Sequence, residues 1–128
     1  MSVKLTFGYL YDFRNPAQWH RPWEQLYAET LDVIAETENL GFRGAWIPEH
    51  HLAEDGYMPS PLVALAAVAA RTKTMRIGSG VALAPLYNPV RFAEDCALLD
   101  ILSNGRLDMG LAIGYRTRET AAFGVDFT

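Results

Sequence analysis

Residues 76–113 read RIGSGVALAPLYNPVRFAEDCALLDILSNGRLDMGLAI, and this stretch decides the fold class. An apolar run over residues 76–83 predicts a strand. The Asn-Pro pair that follows is typical of a helix start, because asparagine caps free N–H groups and proline lacks the N–H that would be unpaired there. An Asn-Gly pair ends the helix, and the apolar run over residues 107–113 predicts the next strand. Strand, helix and strand in this order predict a parallel βαβ unit.

The same alternation extends back to the start of the chain. Apolar runs over residues 4–10 and 45–47 predict two further strands. One helix is predicted to begin with Pro22 as its first residue and to end just before Gly41, and another to begin at the Ser-Pro pair of residues 60–61. The chain therefore contains about four βα units, and its strands are predicted to pair in parallel.

Two α/β architectures fit four βα units. One is a small, open, doubly wound sheet, and the other is the N-terminal half of a (β/α)8 TIM barrel, whose full length is typically about 250 residues. Periodicity alone does not choose between them. The dinucleotide-binding form of the open sheet loses support, because no Gly-x-Gly-x-x-Gly follows the first strand. In both architectures, sites form at the carboxyl ends of the strands.

The composition is that of an ordinary globular protein with a single domain over residues 1–128. Of its residues 50% are hydrophobic and 20% are charged, and the net charge is -4. This acidity predicts no nucleic-acid partner, and the absence of an apolar stretch of about 20 residues predicts no membrane partner. Cys96 is the single cysteine and has no internal disulfide partner, so a cytoplasmic location is expected.

Candidate catalytic residues stand at the end of the second predicted strand, at Glu49, His50 and His51. A neutral imidazole accepts a proton near neutral pH, and a neighbouring carboxylate tunes it. Because successive side chains of a strand point to opposite faces, His50 is predicted to face the strand-end cleft and His51 to face supporting structure. Two alternatives are a pair of structural loop histidines and a metal site that includes His20. No paired-cysteine or helical His-x-x-x-His spacing supports the metal site, so none is predicted.

The third predicted strand contains Gly78-Ser79-Gly80, which weakens a strand unless the backbone bends or something approaches it closely. A bulge that lets a flat ring lie against the backbone is one interpretation. Room for a bulky neighbouring side chain is the other. Spacing alone leaves both open.

Eight short segments together resemble the N-terminal half of the luciferase-like monooxygenase family. Each segment is weak alone, but their order and spacing are specific, and the resemblance covers nearly the whole chain. The segments are EHH at 49–51, RTKT at 71–74, IGSG at 77–80, NPVR at 88–91, AED at 93–95, LD at 99–100, SNGR at 103–106 and FGVD at 123–126.

The resemblance implies a flavin- or F420-dependent oxidoreductase, with reduced FMN or coenzyme F420 as cofactor and a small-molecule substrate. It implies that His50 matches the family's active-site histidine, with Glu49 beside it as the second catalytic residue. It also implies that the third strand bulges beside the cofactor ring, which Ser79, Gly80 and Val81 contact. A non-proline cis peptide is expected near Gly80-Val81.

Two departures from the family pattern limit what the resemblance implies. Ile113 stands where bacterial luciferase has a flavin-binding arginine, so light emission is not expected. The family continues for another half-barrel, so the domain is expected to be incomplete and cofactor binding by this chain to be weak or absent. The alternative to an enzyme is a truncated, noncatalytic half-barrel that self-associates.

The open sheet predicts that this chain associates with another protein segment. The first and fourth strands leave unpaired edges, and the inner face is predicted to expose apolar residues such as Phe7, Ile77 and Leu111. Either a homo-oligomer or a missing C-terminal half would cover them.

Overall fold

The computed structural model describes residues 5–126, which form four parallel strands and four α-helices in alternation. The strands pair in the order β1-β2-β3-β4, so each strand lies beside its neighbour in sequence. This is the α/β arrangement predicted for the first half of a (β/α)8 barrel. The elements are β1 (Gly8–Leu10), α1 (Trp23–Asn39), β2 (Gly44–Ile47), α2 (Pro61–Arg71), β3 (Arg76–Leu83), α3 (Pro89–Ser103), β4 (Leu107–Ala112) and α4 (Thr117–Ala122), with 3-10 turns at Ala17–Trp19 and Ala84–Leu86.

Helix α3 begins and ends where its sequence predicts. The side chain of Asn88 accepts hydrogen bonds from the N–H groups of Val90, at 3.0 Å, and Arg91, at 3.1 Å. Asn104 ends the helix with a left-handed φ of 59°, and Gly105 follows with φ 75°. The Asn-Pro and Asn-Gly pairs therefore fix both ends by local chemistry.

Some of the other predicted boundaries differ slightly from the structure. Pro22 is the N-cap of α1 rather than its first residue. Strand β1 begins only at Gly8, and Lys4, the predicted first residue, lies outside the described residues. The predicted start of α2 is confirmed, with Ser60 as N-cap and Pro61 as first residue.

All the large helices pack on one face of the sheet and bury the core there. Helix α2 lies in the middle, against both α1 and α3, and its alanines allow this close packing. The core joins apolar side chains of these helices to those of β2 and β3, among them Ile34, Ile47, Leu65, Val68, Ile77 and Leu99.

The opposite face of the sheet carries Trp46 lying against glycines of three strands. A Cβ on Gly78 would come within 2.5 Å of the Trp46 ring and within 2.0 Å of the Asp108 carbonyl oxygen. For a Cβ on Gly44, the three nearest atoms all belong to Trp46, the first of them at 3.0 Å. Gly78 therefore leaves room for the bulky Trp46 side chain, one of the two interpretations left open by the sequence, and also for the close approach of the β4 backbone.

Two of the three apolar residues predicted to be exposed are exposed. Phe7 is 67% exposed and Leu111 is 54% exposed, but Ile77 is fully buried. The prediction for Ile77 was wrong because Ile77 pairs with Ala45 in register, and both side chains point toward the helices. Within residues 5–126, β1 and β4 each pair along one edge only. No helix in this part of the chain is long and apolar enough to cross a membrane.

Candidate active-site cleft

A cleft of about 310 Å³ opens at the carboxyl ends of β2, β3 and β4. One wall is apolar, and the other carries aromatic and imidazole rings. The lining residues are Pro48, Glu49, His50, Tyr57, Gly80, Val81, Leu83, Ala112, Ile113, Gly114 and Tyr115. The volume is within the range of small-molecule sites.

Strand β3 is irregular where it borders this cleft. Its pairing with β4 shifts register between Ser79 and Ala82, and the peptide bond between Gly80 and Val81 is cis. The predicted bulge and the predicted cis peptide are therefore confirmed. Gly80 and Val81 line the cleft, but Ser79 does not. The Ser79 hydroxyl is buried and donates to the carbonyl oxygen of Gly110 at 2.7 Å, which ties β3 to β4.

His50 faces the cleft, as strand alternation predicts. Its side chain is 13% exposed, and its ring lies 4.5 Å from the ring of Tyr57 and 6.0 Å from that of Tyr115. Its Nδ1 lies 3.0 Å from Oε1 of Glu119. A partly exposed imidazole that is held by a buried carboxylate is suited to proton transfer.

Glu119, on α4, is the carboxylate that contacts His50, and its side chain is 3% exposed. Its Oε1 also accepts a hydrogen bond from the backbone N–H of His51 at 3.0 Å, and Nη1 of Arg116 lies at 3.3 Å. Burial raises the pKa of Glu119, but the hydrogen bonds from His51 and His50 and the charges of His50 and Arg116 outweigh it and lower the pKa overall. No motif in the sequence points to this residue.

Glu49 lies next to His50 in sequence but contacts other groups. Its Oε2 accepts from the backbone N–H of Leu83 at 2.6 Å, and its Oε1 accepts from the Tyr87 hydroxyl at 2.8 Å. The same Oε1 lies 2.9 Å from Nε2 of His51. Glu49 is therefore a buried anchor that joins the end of β2 to the end of β3, although it is also among the residues that line the cleft.

His51 turns toward supporting structure, as predicted. Its ring lies 4.5 Å from the ring of Phe123, and it lines a separate cavity between α2 and α3. Burial, followed by the charge of Glu49 and its hydrogen bond, raises the pKa of Tyr87, so this phenol stays protonated as a donor.

The structure does not bring His20 together with the other residues considered for a metal site. His20 is exposed and lies beside Trp23, away from the cleft. Among residues 5–126, no group of three or more histidine, cysteine, aspartate or glutamate side chains is placed to hold a metal ion.

Comparison with known proteins identifies what this arrangement is similar to. The family model for luciferase-like monooxygenases matches residues 5–128. The oxygenase component of the flavin-dependent trigonelline monooxygenase of Acinetobacter baylyi is 37% identical over 71% of this chain and 25% of its own length. The alkanal monooxygenase alpha chain of the Kryptophanaron alfredi symbiont is 37% identical over 82% of this chain and 29% of its own length.

A solved structure shows the same fold. The monooxygenase RslO1 of Streptomyces bottropensis superposes with a TM-score of 0.87 and 33% identity, over 96% of this chain and 37% of that chain. The present chain thus spans less than a third of the two curated relatives and little more than a third of this structure.

Proposed function

This chain belongs to the luciferase-like monooxygenase family, and we propose that it forms the ring-binding half of a flavin- or F420-dependent oxidoreductase. The observation that carries the proposal is the cleft in which the irregular segment of β3 meets His50. The favoured activity is that of a monooxygenase using reduced FMN and oxygen on a small-molecule substrate. Residues 1–128 would be one incomplete domain of this enzyme, with a cytoplasmic location.

The cleft fits a flat, largely apolar ring. Val81, Leu83, Ala112 and Ile113 supply an apolar wall, and the cleft volume of about 310 Å³ admits a ring system but little more. When bound, the cofactor supplies the redox chemistry, which no protein side chain here provides. F420 is the alternative, because its deazaflavin ring has the same flat shape and would use hydride transfer in place of oxygen chemistry.

The residues of the chain would then have distinct tasks. Gly80 and Val81 would contact the cofactor ring, and His50 would accept or return a proton in the cleft. Ser79 would act on the cofactor only indirectly, by holding β3 against β4. Glu49 would likewise support the site by fixing the end of β3 through Leu83.

The chain is expected to bind the cofactor ring weakly, and the cofactor phosphate is expected to add nothing to the affinity. None of the residues that line the described cleft is a lysine or arginine, and phosphate recognition needs positive groups or several N–H donors. Titrating the chain with FMN and with riboflavin, by flavin fluorescence, should therefore give equal and weak affinities.

A matched pair of valine variants locates that binding. Val81→Asp should abolish it, whereas Val33→Asp, at an exposed position of α1, should leave it unchanged. No binding of either flavin at millimolar concentration would contradict the proposed site and favour a noncatalytic half-barrel. Submicromolar FMN binding with much weaker riboflavin binding would show that the chain holds a phosphate site.

The open sheet supports a second proposal, self-association. Leu10 and Ile113 join Phe7 and Leu111 as exposed apolar side chains, and the edges of β1 and β4 are unpaired within the described residues. A homo-oligomer, or the rest of a barrel on a longer chain, would cover them. Sedimentation velocity across a dilution series should show concentration-dependent association. A single monomer with a cooperative unfolding transition at low concentration would refute this proposal.

A further inference from the structure

Two neighbouring histidines are held through different ring nitrogens by different carboxylates. Nδ1 of His50 lies 3.0 Å from Glu119, whereas Nε2 of His51 lies 2.9 Å from Glu49. Both carboxylates are almost fully buried, with side-chain exposures of 3% and 2%. The adjacent rings are therefore oriented independently, one by α4 and one by the segment that carries both histidines.

The identity of the bonded nitrogen decides which nitrogen of each neutral ring carries the proton. An ionised carboxylate only accepts hydrogen bonds, so the ring nitrogen that faces it must be an N–H donor. The lowered pKa of Glu119 keeps that group ionised at neutral pH. His50 is then protonated at Nδ1, and His51 at Nε2.

The remaining nitrogen of His50 reaches solvent. Among residues 5–126, no buried side-chain nitrogen or oxygen lacks a hydrogen-bond partner. Nε2 of His50 makes no hydrogen bond with any described residue, so this atom reaches solvent, and the cavity that His50 lines is the cleft. Its lone pair is thus available to a bound molecule.

We propose that Glu119 is a positioning residue that holds His50 in the Nδ1–H tautomer, so that Nε2 is the atom that accepts a proton from a molecule in the cleft. The direction of proton transfer rests on the proposed function. The tautomer itself does not, because it follows from contacts within the chain.

The position of Glu119 also couples His50 to the wall of the cleft. One oxygen of this carboxylate accepts from the His50 ring and from the His51 backbone, so it fixes both the ring and the chain that carries it. Helix α4 directly follows Ile113, Gly114 and Tyr115, which line the same cleft. A displacement of α4 would therefore move the base and the wall together.

Nitrogen-15 NMR of the histidine-labelled chain tests the proposal without any cofactor. At a pH well above the ordinary histidine pKa of about 6.5, where imidazole is neutral, His50 should show the Nδ1–H tautomer and His51 the Nε2–H tautomer. Exposed His20 provides a reference ring in the same sample. A wild-type His50 in the Nε2–H form would overturn the proposal.

Two variants assign the effect to Glu119. In Glu119→Ala, His50 should lose most of its Nδ1–H form, whereas His51 should be unchanged because Glu49 still holds it. Glu119→Gln should preserve the tautomer, since its amide oxygen still accepts from Nδ1–H. If the alanine variant does not fold, Glu119→Met, which keeps the side-chain volume, replaces it. An unchanged His50 tautomer in a folded alanine or methionine variant would also overturn the proposal, whatever flavin titrations show.

Discussion

The two ends of the sheet use charged side chains differently. At the amino ends of the strands, Glu38 and Arg106 bind mainly backbone groups. Glu38 accepts from the N–H groups of residues 73–75 and from the Thr74 hydroxyl. At the carboxyl ends, Glu119 and Glu49 bind histidine side chains as well as backbone N–H groups.

The charged groups at the amino ends of the strands thus contribute mainly to stability, and those at the carboxyl ends contribute mainly to the candidate site. A charge that is fully engaged with backbone groups fixes a loop and leaves nothing to offer a ligand. A charge that orients an imidazole leaves the second ring nitrogen available. We therefore expect substitutions at the amino end to change mainly the free energy of unfolding, and substitutions at the carboxyl end to change mainly the geometry of the cleft.

The largest loss of stability is expected from Arg106→Met. Arg106 donates to the carbonyl oxygens of Ala69 and Thr72 at 3.0 Å, at the end of α2, and to that of Met75 at 2.9 Å. Methionine would leave these buried acceptors unpaired, each at a cost of roughly 1–3 kcal/mol. We expect a loss of about 3 kcal/mol or more in urea unfolding, followed by circular dichroism at a fixed chain concentration.

Arg118→Met is the matched control for this experiment, because Arg118 lies exposed on α4. It should change the free energy of unfolding by less than about 0.5 kcal/mol. An equal loss in the two variants would show that the loss of positive charge, rather than the loss of the buried hydrogen bonds, is responsible.

A smaller and pH-dependent loss is expected from Glu38→Gln. Burial raises the pKa of Glu38, but hydrogen bonds from Thr74, Met75 and Lys73 outweigh it and lower the pKa from 4.5 to about 2. The stabilisation is therefore fully present above pH 4.5 and is lost as the pH falls toward 2. Each pKa unit corresponds to about 1.4 kcal/mol, and partial exposure screens part of it, so about 2 kcal/mol is expected at pH 7.

The free energy of unfolding of the wild type and of Glu38→Gln, measured from pH 7 to pH 2, checks the direction of this pH dependence. The difference between the two should shrink toward zero by pH 2. A difference that is constant from pH 7 to pH 2 would mean that the carboxylate charge contributes nothing.

The smallest loss of stability is expected from Tyr87→Phe at the carboxyl end. Removing the hydroxyl deletes one hydrogen bond to Glu49 and should destabilise the chain by about 1 kcal/mol. The larger effect of this variant should be on the geometry of the cleft. The NMR signals of His51 and Leu83 should shift, because both residues bond to the same Glu49 carboxylate. A loss as large as that of Arg106→Met, without a change at those residues, would erase the contrast between the two ends.

The sequence predicted the features that local chemistry determines. The ends of α3 follow from Asn88, Asn104 and Gly105, whose capping geometry depends only on nearby residues. His50 and His51 face the sides that strand alternation predicts, although β2 itself ends at Ile47. The irregularity of β3 and the family were also predicted correctly, from the glycines and from the order of the short motifs.

Contacts between segments that are distant along the chain could not be predicted from the sequence. Glu119 lies 69 residues from His50, and an acidic residue in a short helix gives no signal that it turns inward. The resemblance implied that Glu49 acts beside His50, yet the Glu49 side chain contacts Leu83 and Tyr87. Ile77 was assigned to the wrong face because the choice of inner residues depends on the register with β2.

Trp46, on the inner face, determines whether some of the neighbouring glycines can be replaced by a larger residue, whereas others cannot be replaced whatever residue stands at position 46. At Gly44, the three atoms nearest to an added Cβ all belong to the Trp46 ring, so a smaller residue at 46 would remove the contacts that oppose alanine most strongly there. At Gly78, the Asp108 carbonyl oxygen lies 2.0 Å from the same point, and no change at Trp46 relieves it. Positions 44 and 46 are therefore expected to vary together among functional sequences, whereas position 78 stays glycine whatever side chain fills the inner face.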